Sequence, residues 1–207
     1  FIMVDETHKD RKAGTRAHGW GEKGSLHLVM EVFNDPCQKL YTLIAAADCN
    51  GFVEEACMTV LRPETVTAET KMHYIRNYLL PVLGSFENNE PRSVVTMDNA
   101  TINEKLQIEE MVHSVGAIIL WNAPFSPQYH PIERAFRDYK IALKLKVNGT
   151  WYDKHLNALR KVEGEKLTNY MCSAWGFESC RAKAGSDSKK KMFEIVLYMA
   201  VFFILFS

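Results

Sequence analysis

A mixed β-sheet with helices on both faces is the fold class that this sequence predicts, and three observations predict it. The first third holds short apolar runs divided by turn signals, the signature of an antiparallel meander. Two further apolar runs, Ser93 to Met97 and Ala117 to Trp121, are separated by a segment of helical spacing, the signature of a strand–helix–strand crossover. A chain of 207 residues with 47% apolar content can bury a real core as one domain with an appendage.

Phe1 to Val4 is a continuous apolar run closed by Asp5, as expected of a strand buried on both faces that ends on a polar residue. Glu6 to Lys23 is polar and glycine-punctuated, hence loop. Leu26 to Phe33 reads as a strand, Asn34-Asp35-Pro36 as a turn, and Leu40 to Ala47 as the next strand. Asp48-Cys49-Asn50-Gly51 is a hairpin turn returning through Phe52 to Val60. Arg62-Pro63-Glu64 breaks the sheet. Thr67 to Leu80 has near-helical spacing, and Pro81 should end or kink it. Ser93 to Met97 is a buried strand ending at Asp98. Asn99 to Thr101 turns into a helix over Ile102 to Val115, which Gly116 stops, and Ala117 to Trp121 is the last strand. Pro124, Pro127 and Pro131 hold an extended loop. Pro131 then opens a helix whose apolar positions are Ile132, Ala135, Phe136, Tyr139, Ile141, Ala142 and Leu145.

Tyr152 to Trp175 forms a further helix or helix pair. Three parts follow: residues 1–150 as the main domain, 151–176 as a helical extension, and 177–207 as a polar, basic tail ending in twelve apolar residues, Ile195 to Phe206. That run is shorter than the ~20 residues of a membrane span, so it reads as a docked segment or a non-native end rather than an anchor. The chain opens in mid-strand without an initiator Met, which reads as a fragment lacking its upstream part.

The net charge of zero hides an asymmetry. Residues 1–133 carry 18 acidic against 11 basic side chains, and residues 134–191 carry 14 basic against 6 acidic. An acidic front suits a cation site, and a basic back suits a phosphate-bearing partner or a solvated helical surface. The five cysteines are odd in number and lack a C-x-x-C, which speaks against a disulfide framework and a zinc site and for a reducing compartment. There is no P-loop, no G-x-S-x-G and no H-x-x-x-H pair.

Asp5, Asp98 and Glu133 are the candidate site. Singly, each has a plainer reading as a turn former, a helix cap or a first-turn acid. If the strands that end at Asp5 and Asp98 are neighbours, both stand at one end of the sheet. Glu133, in the first turn of the helix after the last strand, can face them. Three converging carboxylates repel one another without a cation. Mg²⁺ or Mn²⁺, two ions in number, would resolve this, because hard ions take oxygen ligands and leave positions for water and phosphate.

Val4-Asp5-Glu6-Thr7, Met97-Asp98-Asn99-Ala100 and Ser126-Pro127-Gln128-Tyr129-His130-Pro131-Ile132-Glu133 resemble the three signature blocks of mariner-type DDE transposases and their bacterial insertion-sequence relatives. The family shows Pro-x-Ser-Pro followed by Asn-Pro-Ile-Glu; here Pro124-Phe125-Ser126-Pro127 precedes His130-Pro131-Ile132-Glu133. The 34 residues between Asp98 and Glu133 match the family's spacing, and Arg16 to Gly24 resembles its glycine-rich hairpin. The resemblance covers residues 2–147. It implies a ribonuclease-H-like, mixed five-stranded fold with Asp5, Asp98 and Glu133 as catalytic, metal-binding residues and Asn99 and His130 beside them. It also implies DNA as partner (transposon ends and target), pairing of two copies, and a nuclear location in a eukaryote or a cytoplasmic one otherwise.

His130 stands where the family has Asn, and Asn103 where many members have His. The family's N-terminal DNA-recognition region has no counterpart here. Arg134, Arg137, Lys140, Lys144 and Lys146 are left to meet a phosphate backbone. Two alternatives stay open: a catalytically inactive, domesticated relative, and a different ribonuclease-H-like nuclease.

Overall fold

The computed structural model describes residues 1–9, 40–61, 66–99, 101–122, 129–144 and 150–175. The expected strand over 26–33, the turn at 34–36, the breaker at 62–64, the loop over 123–128, Leu145, Lys146 and the tail beyond residue 175 lie outside them. Five strands form one sheet: β1 (Ile2–Lys9), β2 (Tyr41–Asp48), β3 (Gly51–Leu61), β4 (Val94–Met97) and β5 (Ile118–Trp121). Their order is β3-β2-β1-β4-β5. The β1–β2 and β2–β3 pairs are antiparallel, whereas β1–β4 and β4–β5 are parallel.

The sheet is covered on both faces, as expected. One face packs α1 (Ala68–Tyr74) and α2 (Ile102–Ser114) through Tyr74, Ile75, Leu79, Ile108 and Val112 against Ile2, Val4, Val95 and Met97. The other packs α3 (Ile132–Ala142), α4 (Trp151–Arg160) and α5 (Gly164–Trp175) through Ile132, Phe136, Tyr139, Leu159 and Leu167 against Met3, Leu43 and Ala45. The two residue sets alternate along β1, as the two-residue period of a strand requires.

β1 does not stop at Asp5. It continues to Lys9 because β2 pairs with it from Met3↔Ala47 to Lys9↔Tyr41. Thr7 and Lys9 are buried although polar, so the strand's alternation is hidden from a hydropathy reading. Pairing with β4, by contrast, covers only Ile2 to Val4, so Asp5 stands where β4 ends.

The β2–β3 turn forms at Cys49-Asn50, where the Asn50 N–H donates to Asp48 Oδ1 at 2.7 Å and Gly51 takes φ +130°. The other Asp48 oxygen accepts from Arg92 Nε at 2.8 Å. Thr67 caps α1 through its hydroxyl. The helix then widens into a π turn over Ile75–Leu79 and tightens into a 3₁₀ turn over Leu80–Val82. Pro81, which has no N–H to give and would clash with a regular preceding turn, accounts for this departure from the expected uniform helix. A capping box between Thr101 and Glu104 starts α2, and Gly116 at φ +80° follows its end.

α3 buries Ile132, Ala135, Phe136, Tyr139 and Ala142. Ile141 is 55% exposed, against the sequence expectation, because it falls outside the stripe these five define. The residues after 150 form two helices within the same core. Tyr139 on α3 donates to or accepts from Tyr41 on β2 and His155 on α4; the Tyr139 hydroxyl lies 2.8 Å from His155 Nδ1. Burial pushes His155 down to about 4 and Tyr41 up to about 12. Cys49 and Cys57 are free, and Cys172 is disulfide-bonded.

Gly164 starts α5 directly on the β2–β3 turn. A Cβ there would sit 2.6 Å from the Cys49 carbonyl oxygen and 2.7 Å from the Asn50 backbone. Ala is the better helix former by ~1 kcal/mol, so an exposed site would gain from it. Gly164→Ala is instead expected to destabilise the protein by ~1–3 kcal/mol through the backbone clash, read as a lower urea midpoint.

Candidate active site

The parallel registers set the site. Val4 pairs with Met97 and Met97 with Trp121, so the next residues, Asp5, Asp98 and Asn122, follow one another across a single edge of the sheet. Asp5 shares the face of Met3, which packs against α3. Glu133 is the second residue of α3, and its N–H donates to the His130 carbonyl at 3.1 Å.

Each carboxylate has a distinct environment. The Asp5 side chain is 12% exposed, its Oδ1 accepts the Glu6 N–H at 2.7 Å, and its Oδ2 lies 3.7 Å from His130 Nδ1. Asp98 is exposed, and its Oδ1 accepts from Asn122 Nδ2 at 3.1 Å. Asn122 is itself held: its N–H donates to Met97 O at 2.7 Å and its carbonyl accepts from Asn99 Nδ2 at 2.6 Å. Lys105 donates to Asn99 Oδ1 and lies over the Trp121 ring. Asn99 thus supports the end of β5 rather than reaching Asp98 directly.

Burial pushes the Asp5 carboxyl up to about 8; the Glu6 N–H opposes this, and the charges of Asp98 and Glu133 add to it. Glu133 is raised by burial and by Asp98, against Lys140. His130 is lowered by burial, with Asp98 opposing. The Asp98 charge thus raises both Asp5 and Glu133, and the Glu133 charge raises Asp5. Among the described residues, however, no three His, Cys, Asp or Glu side chains stand close enough to hold one metal ion as arranged. The donor set fits Mg²⁺ or Mn²⁺ in kind, being hard oxygen ligands short of positive charge. One oxygen of Asp5 and one of Asp98 are already engaged, and the other of each is left for a cation.

Asn122 escaped the sequence reading. It follows the last residue of β5 as Asp98 follows the last residue of β4, a positional signal that was present, but Asn-Ala-Pro reads first as a turn. Arg134 is also placed differently from expectation. Its guanidinium donates to Ser173 Oγ at 3.2 Å and lies over the Tyr170 ring, which ties α3 to α5. Tyr170 also donates to Asp138 at 2.6 Å. Arg137, Lys140 and Lys144 line a groove of about 370 Å³ together with Glu133, Phe136 and Ile141.

A five-stranded mixed sheet in this order, helix-covered on both faces, defines the ribonuclease-H-like fold. Residues 1–149 match the DDE superfamily endonuclease family, and the chain belongs to it. Among solved structures, the pre-cleavage Mos1 transpososome matches with a TM-score of 0.58 at 15% identity over 96% of this chain and 55% of that one. The Mos1 strand transfer complex gives 0.58 at 16% over 96% and 54%. The Mos1 mariner paired end complex with Mn gives 0.56 at 14% over 85% and 52%. The chain thus spans about half the length of the Mos1 chains it matches. No curated protein sequence matches it. Among the described residues no helix is long and apolar enough to cross a membrane.

The raised Asp5 pKa has a defined linkage. With an ordinary value of 3.8 unfolded and about 8 folded, its contribution to stability is full below 3.8 and lost as pH rises through 8. In chelator, Asp5→Asn is expected to melt above wild type at pH 8, by about 2–4 °C per kcal/mol relieved, with the gap closing towards pH 4. Calorimetry across that range checks it.

Proposed function

We propose that this chain is the catalytic core of a DDE-type transposase that cuts DNA phosphodiesters and joins the freed 3′-hydroxyl to another strand, using Mg²⁺ or Mn²⁺ held by Asp5, Asp98 and Glu133. The observation that carries this reading is the parallel register that sets Asp5 and Asp98 side by side at one end of the sheet, in a chain matched to the DDE superfamily over residues 1–149. The Mos1 structures of similar fold are paired end, pre-cleavage and strand transfer complexes, one of them with Mn, which supports DNA and a divalent ion as partners.

When bound, such ions would offset charge on the phosphodiester and activate the attacking hydroxyl. The chain's own residues do the rest. Asp5 must give up its proton to bind a cation, so binding releases protons and tightens as pH rises towards 8. Asn122 orients Asp98 by holding Oδ1. Glu133 projects from an exposed first turn beside Lys140, at the mouth of the groove. Lys140 and Lys144, with Arg137 beside its ion pair to Asp138, are the cations placed to hold a phosphate backbone, whereas Arg134 holds α5. Residues 1–150 make up the catalytic unit, and 151–176 buttress it through the shared core. Joining two DNA ends calls for a second copy.

A second reading, a non-catalytic relative that binds DNA, draws on the absence among the described residues of three ligands already at metal-binding separation. Mn²⁺ binding without strand cleavage would favour it.

Wild-type chain is expected to bind Mn²⁺ and nick plasmid, and Asp98→Ala to lose both while keeping its circular dichroism, since Asp98 is exposed; retained nicking would sink the assignment. A Lys140→Ala, Lys144→Ala double variant is expected to weaken DNA binding for all sequences alike. The slope of log affinity against log salt should fall by about 1 per lysine, measured by anisotropy titrations at several salt concentrations.

A further inference from the structure

Beside the carboxylates sits a side chain that no step above uses. His130 is 2% exposed, and neither of its ring nitrogens has a hydrogen-bond partner among the described residues. Buried polar atoms are almost always satisfied, so a fully buried imidazole with both nitrogens open marks a place where a ligand belongs. The ring is aimed at Asp5: Nδ1 lies 3.7 Å from Oδ2. That is too long for a hydrogen bond. It exceeds the ~3.0 Å between neighbouring donors on one six-coordinate ion with bonds of about 2.1 Å by a margin that rotation about the Asp5 side-chain bonds can close. The backbone there is pinned, because the His130 carbonyl accepts from Glu133 N–H and Pro131 caps α3. The imidazole is thereby fixed to the same turn that carries Glu133.

We infer that His130 is a nitrogen ligand to the divalent ion at Asp5, and that it biases this site towards Mn²⁺ over Mg²⁺. The inference rests on the carboxylate metal site proposed above. An all-oxygen set accepts both ions. An imidazole nitrogen is a poor donor to hard Mg²⁺ and a good one to first-row transition ions. Asp5 supplies the oxygen and His130 the nitrogen from opposite sides of the 3.7 Å gap.

The test uses the full chain loaded with one equivalent of Mn²⁺ and read by pulsed electron paramagnetic resonance. Wild type is expected to show ¹⁴N modulation, replaced by the ¹⁵N pattern when only histidine is ¹⁵N-labelled, and His130→Asn is expected to lose it. By calorimetry, His130→Asn should weaken Mn²⁺ roughly tenfold or more while Mg²⁺ changes by less than about threefold. The labelled wild type decides the matter even if the variant folds poorly. Mn²⁺ that binds, is lost in Asp98→Ala, and shows no histidine nitrogen overturns the role of His130 and leaves the carboxylate site standing. Mn²⁺ that does not bind, or that binds equally in Asp98→Ala, overturns both.

Discussion

The register of three parallel strands is the constraint on which the rest depends. β4 is hydrogen-bonded between β1 and β5, and all three run in the same direction, so their carboxyl ends share one edge. Apolar residues on both faces fix the register, with Ile2 and Val4 in one core and Met3 in the other. A slip of one residue would send Asp5 to the face of α1 and α2 and bury it among Ile108 and Val112. The position of the polar row Asp5, Asp98 and Asn122 thus follows from hydrophobic packing; Asn122 then hydrogen-bonds Asp98, while Asp5 and Asp98 repel.

The third acid depends on a different force. Glu133 reaches this edge because the buried stripe of α3 seats the helix on the sheet, with Phe136 stacked on Phe52 at 5.8 Å. α4 and α5 seal that stripe from outside, and Arg134, Tyr170 and Asp138 clamp the outer contact. The C-terminal helices therefore bear on the site without touching it. Burial, the largest influence on Asp5, is imposed by this packing, and the like charges of the neighbouring acids add to it.

Much of this was legible in the chain. Asp5, Asp98 and Glu133 stood out because each lies at the boundary of an apolar segment, where local pattern is informative. The β2–β3 hairpin was legible from Asp48 to Gly51 for the same reason. What stayed hidden depends on partners distant in sequence. Glu6 to Lys9 look like loop until β2 supplies their hydrogen bonds. Arg134 looks like a free cation until Ser173, 39 residues away, accepts from it. The π turn before Pro81 is a backbone compromise that no side-chain pattern announces. Asn122 was obscured by a competing local meaning, since Asn before Ala-Pro is also a good turn.

The Tyr41–Tyr139–His155 cluster bears on how quickly the site can change shape. Its hydrogen bonds join β2, α3 and α4 in a dry interior, where parting them leaves polar groups without water to replace their partners. α3 is therefore not free to slide or swing, and Glu133 rides on it. Any drawing together of the three acids must come from rotation about side-chain bonds at a fixed backbone. Such rotations belong to picoseconds and nanoseconds, not to the microseconds and longer of moving helices.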